Sequence, residues 1–149
     1  MTLPIKLRRA EQDDESFIVY SWIESYFDGP MNTHFTPDGE KWRSYDKKWW
    51  WKIYQPVVKD ILARPEVRVT IACLESDPTV VLGWVCYEPG VLHYVTTKYR
   101  FDDFKREIQD ALIGPILDKT IMLSHYLVKF GRPIPDKWTL NPLWMLEEE

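Results

Sequence analysis

Residues 66–98 constrain the fold more than any other part of the chain. "EVRVTIACLE", "VVLGWVCYE" and "VLHYVTTK" are three apolar, β-branched runs separated by little more than "DPT" and "PG". In the first run Val67, Val69, Ile71 and Cys73 fall on one side, the period of a half-buried strand. Pro78 is preset for a turn. Connections this short join antiparallel neighbours, because a parallel return needs a crossover of a dozen or more residues. The segment predicts a three-stranded antiparallel meander.

The flanks read as helices. "LPIKLRRA" alternates enough for a first strand, and "EQDDESFIVYSWIESYFDG" follows it. Ile18, Val19, Trp22, Ile23, Tyr26 and Phe27 recur at helical spacing, with Asp13 or Asp14 as cap and Gly29-Pro30 as stop. Residues 28–40 have the composition of a loop. "KWRSYDKKWWWKIYQPVVKDILARP" predicts a second helical region, with Trp50, Ile53, Tyr54, Val57, Val58, Ile61 and Leu62 on one face. Pro56 either kinks this helix or begins a second, shorter one.

After the meander a helix starts near Asp102, presents Phe104, Ile108, Ala111 and Leu112, and is interrupted at Gly114-Pro115. "TIMLSHYLVKFG" reads as a strand running into an irregular piece. "RPIPDKWTLNPLWML" reads as a loop with at most one short strand, its Trp138 and Trp144 lying over the core. The predicted order is β-α-α-β-β-β-α-β plus a short C-terminal piece. That is an α+β domain spanning 1–149, with a mostly antiparallel mixed sheet and flanking helices.

The totals narrow the function classes. A net charge of -4 gives no general reason to expect nucleic acid or an anionic membrane as partner. Cys73 and Cys86 lie inside apolar runs without CxxC spacing, and the three histidines are scattered, so reduced core cysteines and no metal site are expected. The N-terminus has no apolar targeting stretch, and no run is long enough to cross a bilayer. The expected location is the cytoplasm, the host's if the chain is viral.

The stretch "VLHYVTTKYRFDDFKREIQDALI" runs from strand to helix, a common place to hold phosphate on free backbone N–H groups. Close approach of phosphate to backbone favours glycine, and there is none between Gly90 and Gly114. Asp102 and Asp103 stand where the helix begins, as expected caps that fill an anion site with negative charge.

The element order, with "LGWVCYE", "VLHYVTTKYRF" and "FGRPIPDKWTLNP", resembles the GCN5-related N-acetyltransferase (GNAT) fold, and in particular short phage-encoded members. The resemblance implies a strand before the central helix that is splayed from its neighbour and pairs with the pantetheine arm of acetyl-CoA. It also implies a loop of pattern Arg/Gln-x-x-Gly-x-Gly/Ala around the pyrophosphate. In this sequence Lys105 and Glu107 occupy the two small-residue positions, so that loop is degenerate. If the cofactor were bound, Tyr94, Val95, Thr96, Arg100, Lys105 and Arg106 are its candidate contacts. If the chain were active, Tyr126 is the candidate acid and Glu88 or His93 the candidate base. Their plainer readings are a packed tyrosine, an exposed acid beside a turn, and a hydrogen-bonded histidine.

"DKKWWWKIYQP" places Trp49, Trp50 and Trp51 in three directions around a helix. They are candidate partner-binding residues, because exposed tryptophan is enriched at protein interfaces. The plainest reading packs them on the sheet and under residues 28–40, and the rivals, nucleobase stacking beside Lys47, Lys48 and Lys52 or anchoring at a membrane surface, are weakened by the acidic net charge. These features lead to the expectation of a non-catalytic, acetyltransferase-like binding protein without cofactor. Its expected partner is a protein, as for a phage effector that modulates a host protein, and a homodimer is possible. The alternative is an active acetyl-CoA-dependent N-acetyltransferase with a divergent pyrophosphate loop.

Overall fold

The computed structural model describes residues 3–125, 127–128, 130–131 and 134–141. Strand β1 (Ile5–Arg9) leads to helix α1 (Glu15–Phe27). A short ribbon follows, β2 (Thr33–Phe35) and β3 (Lys41–Arg43), then helix α2 (Lys47–Leu62). The meander is β4 (Arg68–Leu74), β5 (Asp77–Glu88) and β6 (Val91–Thr97). A 3-10 turn (Tyr99–Phe104) runs into helix α3 (Lys105–Ile113), a second 3-10 turn spans Gly114–Lys119, and β7 (Met122–Leu123) and β8 (Thr139–Leu140) finish the described chain. The main sheet has six strands in the order β1-β4-β5-β6-β7-β8. Its first four are antiparallel, whereas β7 is parallel to both β6 and β8. This is the expected α+β arrangement, with the ribbon and β8 added.

Alternation along the meander divides the core into two layers. Ile71, Val81, Trp84, Cys86 and Tyr94 pack beneath α1 and α2, with all six expected apolar residues of α1 buried there. Ala72, Leu82, Val85, Leu92 and Val95 face the opposite way and pack on Ile108, Leu112 and Ile113 of α3. Both cysteines are free and buried. Between β5 and β6 the backbones come close at Gly83, where a Cβ would lie 2.5 Å from the Thr96 carbonyl oxygen. A side chain at that position would force the strands apart.

Several local expectations are corrected. Residues 28–40 are not a plain loop, and residues 41–43 are not helical: "TPDG" turns the chain between β2 and β3, with Gly39 at φ 88°. Helix α2 starts at Lys47, where the Asp46 carboxylate accepts the Trp49 N–H at 2.9 Å. Its buried face is narrower than the pattern suggests, since Ile53 is exposed and only Trp50, Val58 and Ile61 are fully buried.

At the start of α1, Asp14 does not make a side-chain cap bond. Its carboxylate instead accepts the Glu11 N–H and an ion pair from Arg8, closing the turn before the helix. Asp102 and Asp103 do not cap α3 either: Phe104 is the N-cap residue and makes no side-chain cap bond. The chain winds through a 3-10 turn first, so the helix amides there find backbone carbonyls rather than carboxylates.

Pro56 lies inside one continuous helix, well beyond its first turn and exposed. A proline there removes a backbone bond and crowds the preceding turn, at a cost near 3 kcal/mol relative to alanine. Pro56→Ala is therefore expected to raise the unfolding free energy by about 1–3 kcal/mol in a urea titration. An unchanged midpoint would show that the surrounding structure has absorbed the defect.

Candidate functional site

Strand β7 covers only the beginning of β6. The pairing is Val91 with Met122 and Leu92 with Leu123, whereas β6 continues to Thr97. Strand β7 ends at Leu123, and a cleft of about 360 Å³ lies beside Thr96 and Thr97 at the far end of β6. Phe17, Ser21, Glu24, Ser25 and Asp28 of α1 form one wall. Lys98, Tyr99, Asp102, Lys105 and Gln109 form the other, and Val128 closes one side.

The cleft's hydroxyls are tied into the fold. Ser21 donates to the Ile18 carbonyl and accepts the Trp84 indole N–H at 2.7 Å. Ser25 donates to the Trp22 carbonyl, so at 2.8 Å it accepts from the Tyr94 hydroxyl. Burial pushes the Tyr94 phenol up from its ordinary range, which keeps it a neutral donor. The charges in the walls are mixed: Glu24, Asp28 and Asp102 stand against Lys98 and Lys105. Glu24 accepts from Lys47 and from the Trp51 indole, and Asp28 pairs with Arg43 at 2.6 Å.

The strand-to-helix turn is internally satisfied. Phe101 N–H bonds the Lys98 carbonyl at 2.9 Å, and Lys105 N–H bonds the Asp102 carbonyl. Gln109, itself buried, donates to Thr97 Oγ1 at 3.2 Å and accepts the Gly131 N–H at 2.8 Å. Gly131 thereby lies on the first turn of α3, so close that a Cβ there would be 3.2 Å from the Arg106 Cα. Backbone covers the place where a phosphate would approach the helix.

A second polar cluster lies at the other end of β6. Arg64 holds both carboxylate oxygens of Glu88, at 3.1 and 3.2 Å. Glu88 Oε1 is 2.8 Å from His93 Nε2, His93 Nδ1 is 2.7 Å from Ser124 Oγ, and Ser124 Oγ is 2.8 Å from His125 Nδ1. A chain with both imidazoles neutral runs in one direction through the three contacts. His125 donates to Ser124, Ser124 donates to His93, and His93 donates to the Glu88 carboxylate. Burial, with His93 close by, lowers the His125 pKa to about 3, so its ring stays neutral. The Ser-His-Glu geometry has the form of a nucleophile relay, but Ser124 and His93 are 1% and 0% exposed. No substrate reaches them.

The sequence candidates therefore separate. Glu88 and His93 come together, though Glu88 is buried rather than an exposed acid beside a turn. Tyr126 and Trp144 lie outside the described residues. Thr96 and Lys105 line the cleft, while the side chains of Tyr94 and Val95 are in the core. Arg100 lies over the Phe101 ring, and Arg106 reaches Asp110 at 3.8 Å. Neither arginine is among the residues that line the cleft.

Of the three tryptophans, Trp50 is 1% exposed with its indole on the Ile23 carbonyl, so it offers no surface to a partner. Trp51 is half-buried on Glu24, and Trp49 is exposed. Sequence reasoning missed Ser21 and Ser25, although small polar residues four apart beside Trp22 and Tyr26 mark the rim of a buried stripe. It also missed Arg64, Ser124 and His125, whose partners are remote in sequence.

Among the described residues no three His, Cys, Asp or Glu side chains are placed to hold a metal, and no helix is long and apolar enough to cross a membrane. No family model matches the sequence, and no curated protein matches it. One solved structure that it resembles is assigned to the GNAT acetyltransferase family and comes from Desulfovibrio desulfuricans. That match has 16% identity and a TM-score of 0.43, covering 80% of this chain and 70% of the other.

Proposed function

We propose that this chain is a binding protein on an acetyltransferase-like scaffold, which recognises a protein partner instead of transferring an acetyl group from acetyl-CoA. One observation carries the reading: the turn that would have to wrap a diphosphate is wound into a 3-10 helix that continues into α3. Amides bonded within that turn are not free for phosphate, and the turn presents Asp102 and Lys105 to the cleft rather than glycine. An effector that binds and modulates a host protein is the role that suits such a scaffold.

Isothermal titration with CoA and acetyl-CoA tests the reading. No saturable heat at millimolar ligand is expected, and tight stoichiometric binding would overturn it. The open cleft at Thr96–Thr97 favours a second reading, an active acetyltransferase in which Lys98 and Lys105 replace backbone contacts to phosphate. That reading requires salt-sensitive CoA binding that disappears in Lys105→Glu.

A further inference from the structure

Strands β2 and β3 pair only with each other among the described residues, apart from the main sheet. A lone two-stranded ribbon has marginal stability in water and gains from a third strand. Here the base is firmly anchored. Asn32, fully buried, accepts the Tyr45 N–H at 2.8 Å and donates to the Phe27 and Tyr45 carbonyls. Arg43 pairs with Asp28 and lies over the Phe27 ring.

The ribbon beyond the base is exposed and aromatic. Trp42 is 51% exposed and Phe35 68%. His34 and Trp42 are cross-strand partners whose rings are 4.3 Å apart on one face, while Phe35 pairs with Lys41 on the other, beside Arg43. Residues 31–52 carry five basic and three acidic side chains, in a chain whose net charge is -4. Within that span Arg43 and Lys47 are already paired, whereas Lys41 and Lys48 make no ion pair among the described residues.

From this we infer that the β2–β3 ribbon is the docking edge for an extended segment of a protein partner, one that alternates acidic and apolar side chains. The inference rests on the partner-binding reading above. An added strand satisfies an unpaired ribbon edge with main-chain hydrogen bonds. Its alternate side chains then meet the Trp42 face and the Lys41 face, which sets the pattern of the peptide. Single-stranded nucleic acid fits less well, because its backbone has no alternating N–H and C=O groups to continue a strand ladder.

The test uses the whole chain and a short synthetic peptide alternating Glu and Val. A block-scrambled peptide of the same composition, an oligo(dT) and phosphatidylserine-containing vesicles serve as competing probes. The alternating peptide is expected to bind and to slow amide exchange at residues 33–43. Trp42→Ala and Lys41→Glu, each checked for a wild-type circular dichroism spectrum, should weaken it by about tenfold. Equal binding of the scrambled peptide, protection elsewhere in the chain, or Trp42-dependent binding of oligo(dT) or vesicles would overturn the inference. A parallel CoA titration of wild type and Trp42→Ala separates the two proposals. CoA binding sinks the non-catalytic reading and leaves the peptide result standing, whereas peptide failure without CoA binding removes only the docking edge.

Discussion

Glu88→Ala is expected to lower the unfolding free energy by about 3–5 kcal/mol, the range for removing one partner from a buried ion pair. Glu88 is 6% exposed and receives both Arg64 and His93. Without it the guanidinium, itself only partly exposed, loses its carboxylate, and a fully buried imidazole N–H loses its acceptor. The effect spreads along the chain of bonds, because His93 orients Ser124, and Ser124 bonds Leu92 where β7 pairs with β6. Glu88→Gln preserves the volume and one acceptor and should cost less. Urea denaturation of the wild type and both variants measures the series. A Glu88→Ala protein within about 1 kcal/mol of wild type would show that the cluster contributes little net stability.

The second large effect is on pH. The His125 ring is buried against Trp22 and Tyr26, and its pKa in the folded chain is lowered to about 3 from the ordinary 6.5. Between those values the unfolded chain binds a proton that the folded chain refuses, so stability rises with pH across that window and falls on acidification. By pH 5 the loss from this group alone is about 2 kcal/mol, at 1.36 kcal/mol per unit. Above pH 6.5 the contribution is flat. Denaturation midpoints measured from pH 8 down to pH 4.5 should bend downward near 6.5, and His125→Gln should flatten that bend. A wild-type profile that stays flat to pH 5 would mean that His125 protonates in the folded state. The Arg8–Asp14 pair acts in a different range, because the guanidinium holds the Asp14 carboxyl below its usual value and that stability is lost only at still lower pH.

Much of the fold was legible in local patterns. The six buried residues of α1 follow from their spacing, and the meander follows from strand composition joined by turns too short for a crossover. The ribbon was missed, since 28–40 reads as a loop and "KWR" as helix, although "PDG" between "THF" and "KWR" is a turn signal. The site was less legible. Glu88 and His93 are five residues apart and looked like separate candidates, one exposed and one in the core. Their link to Arg64 and Ser124 depends on how β6, β7 and the end of α2 come together.

Sequence by itself determined the period of each major element, the two-faced core of the meander and the missing glycine in the turn after β6. These are properties of neighbouring residues and of what a backbone without a Cβ can do. Only the tertiary structure decided that this turn winds as a 3-10 helix, and that Gly131 covers the first turn of α3. It alone decided that β7 stops at Leu123 and that a cleft lies between α1 and the turn after β6. Those outcomes depend on contacts between residues far apart in the chain, such as Gln109 with Gly131, and no local pattern encodes where such pairs meet.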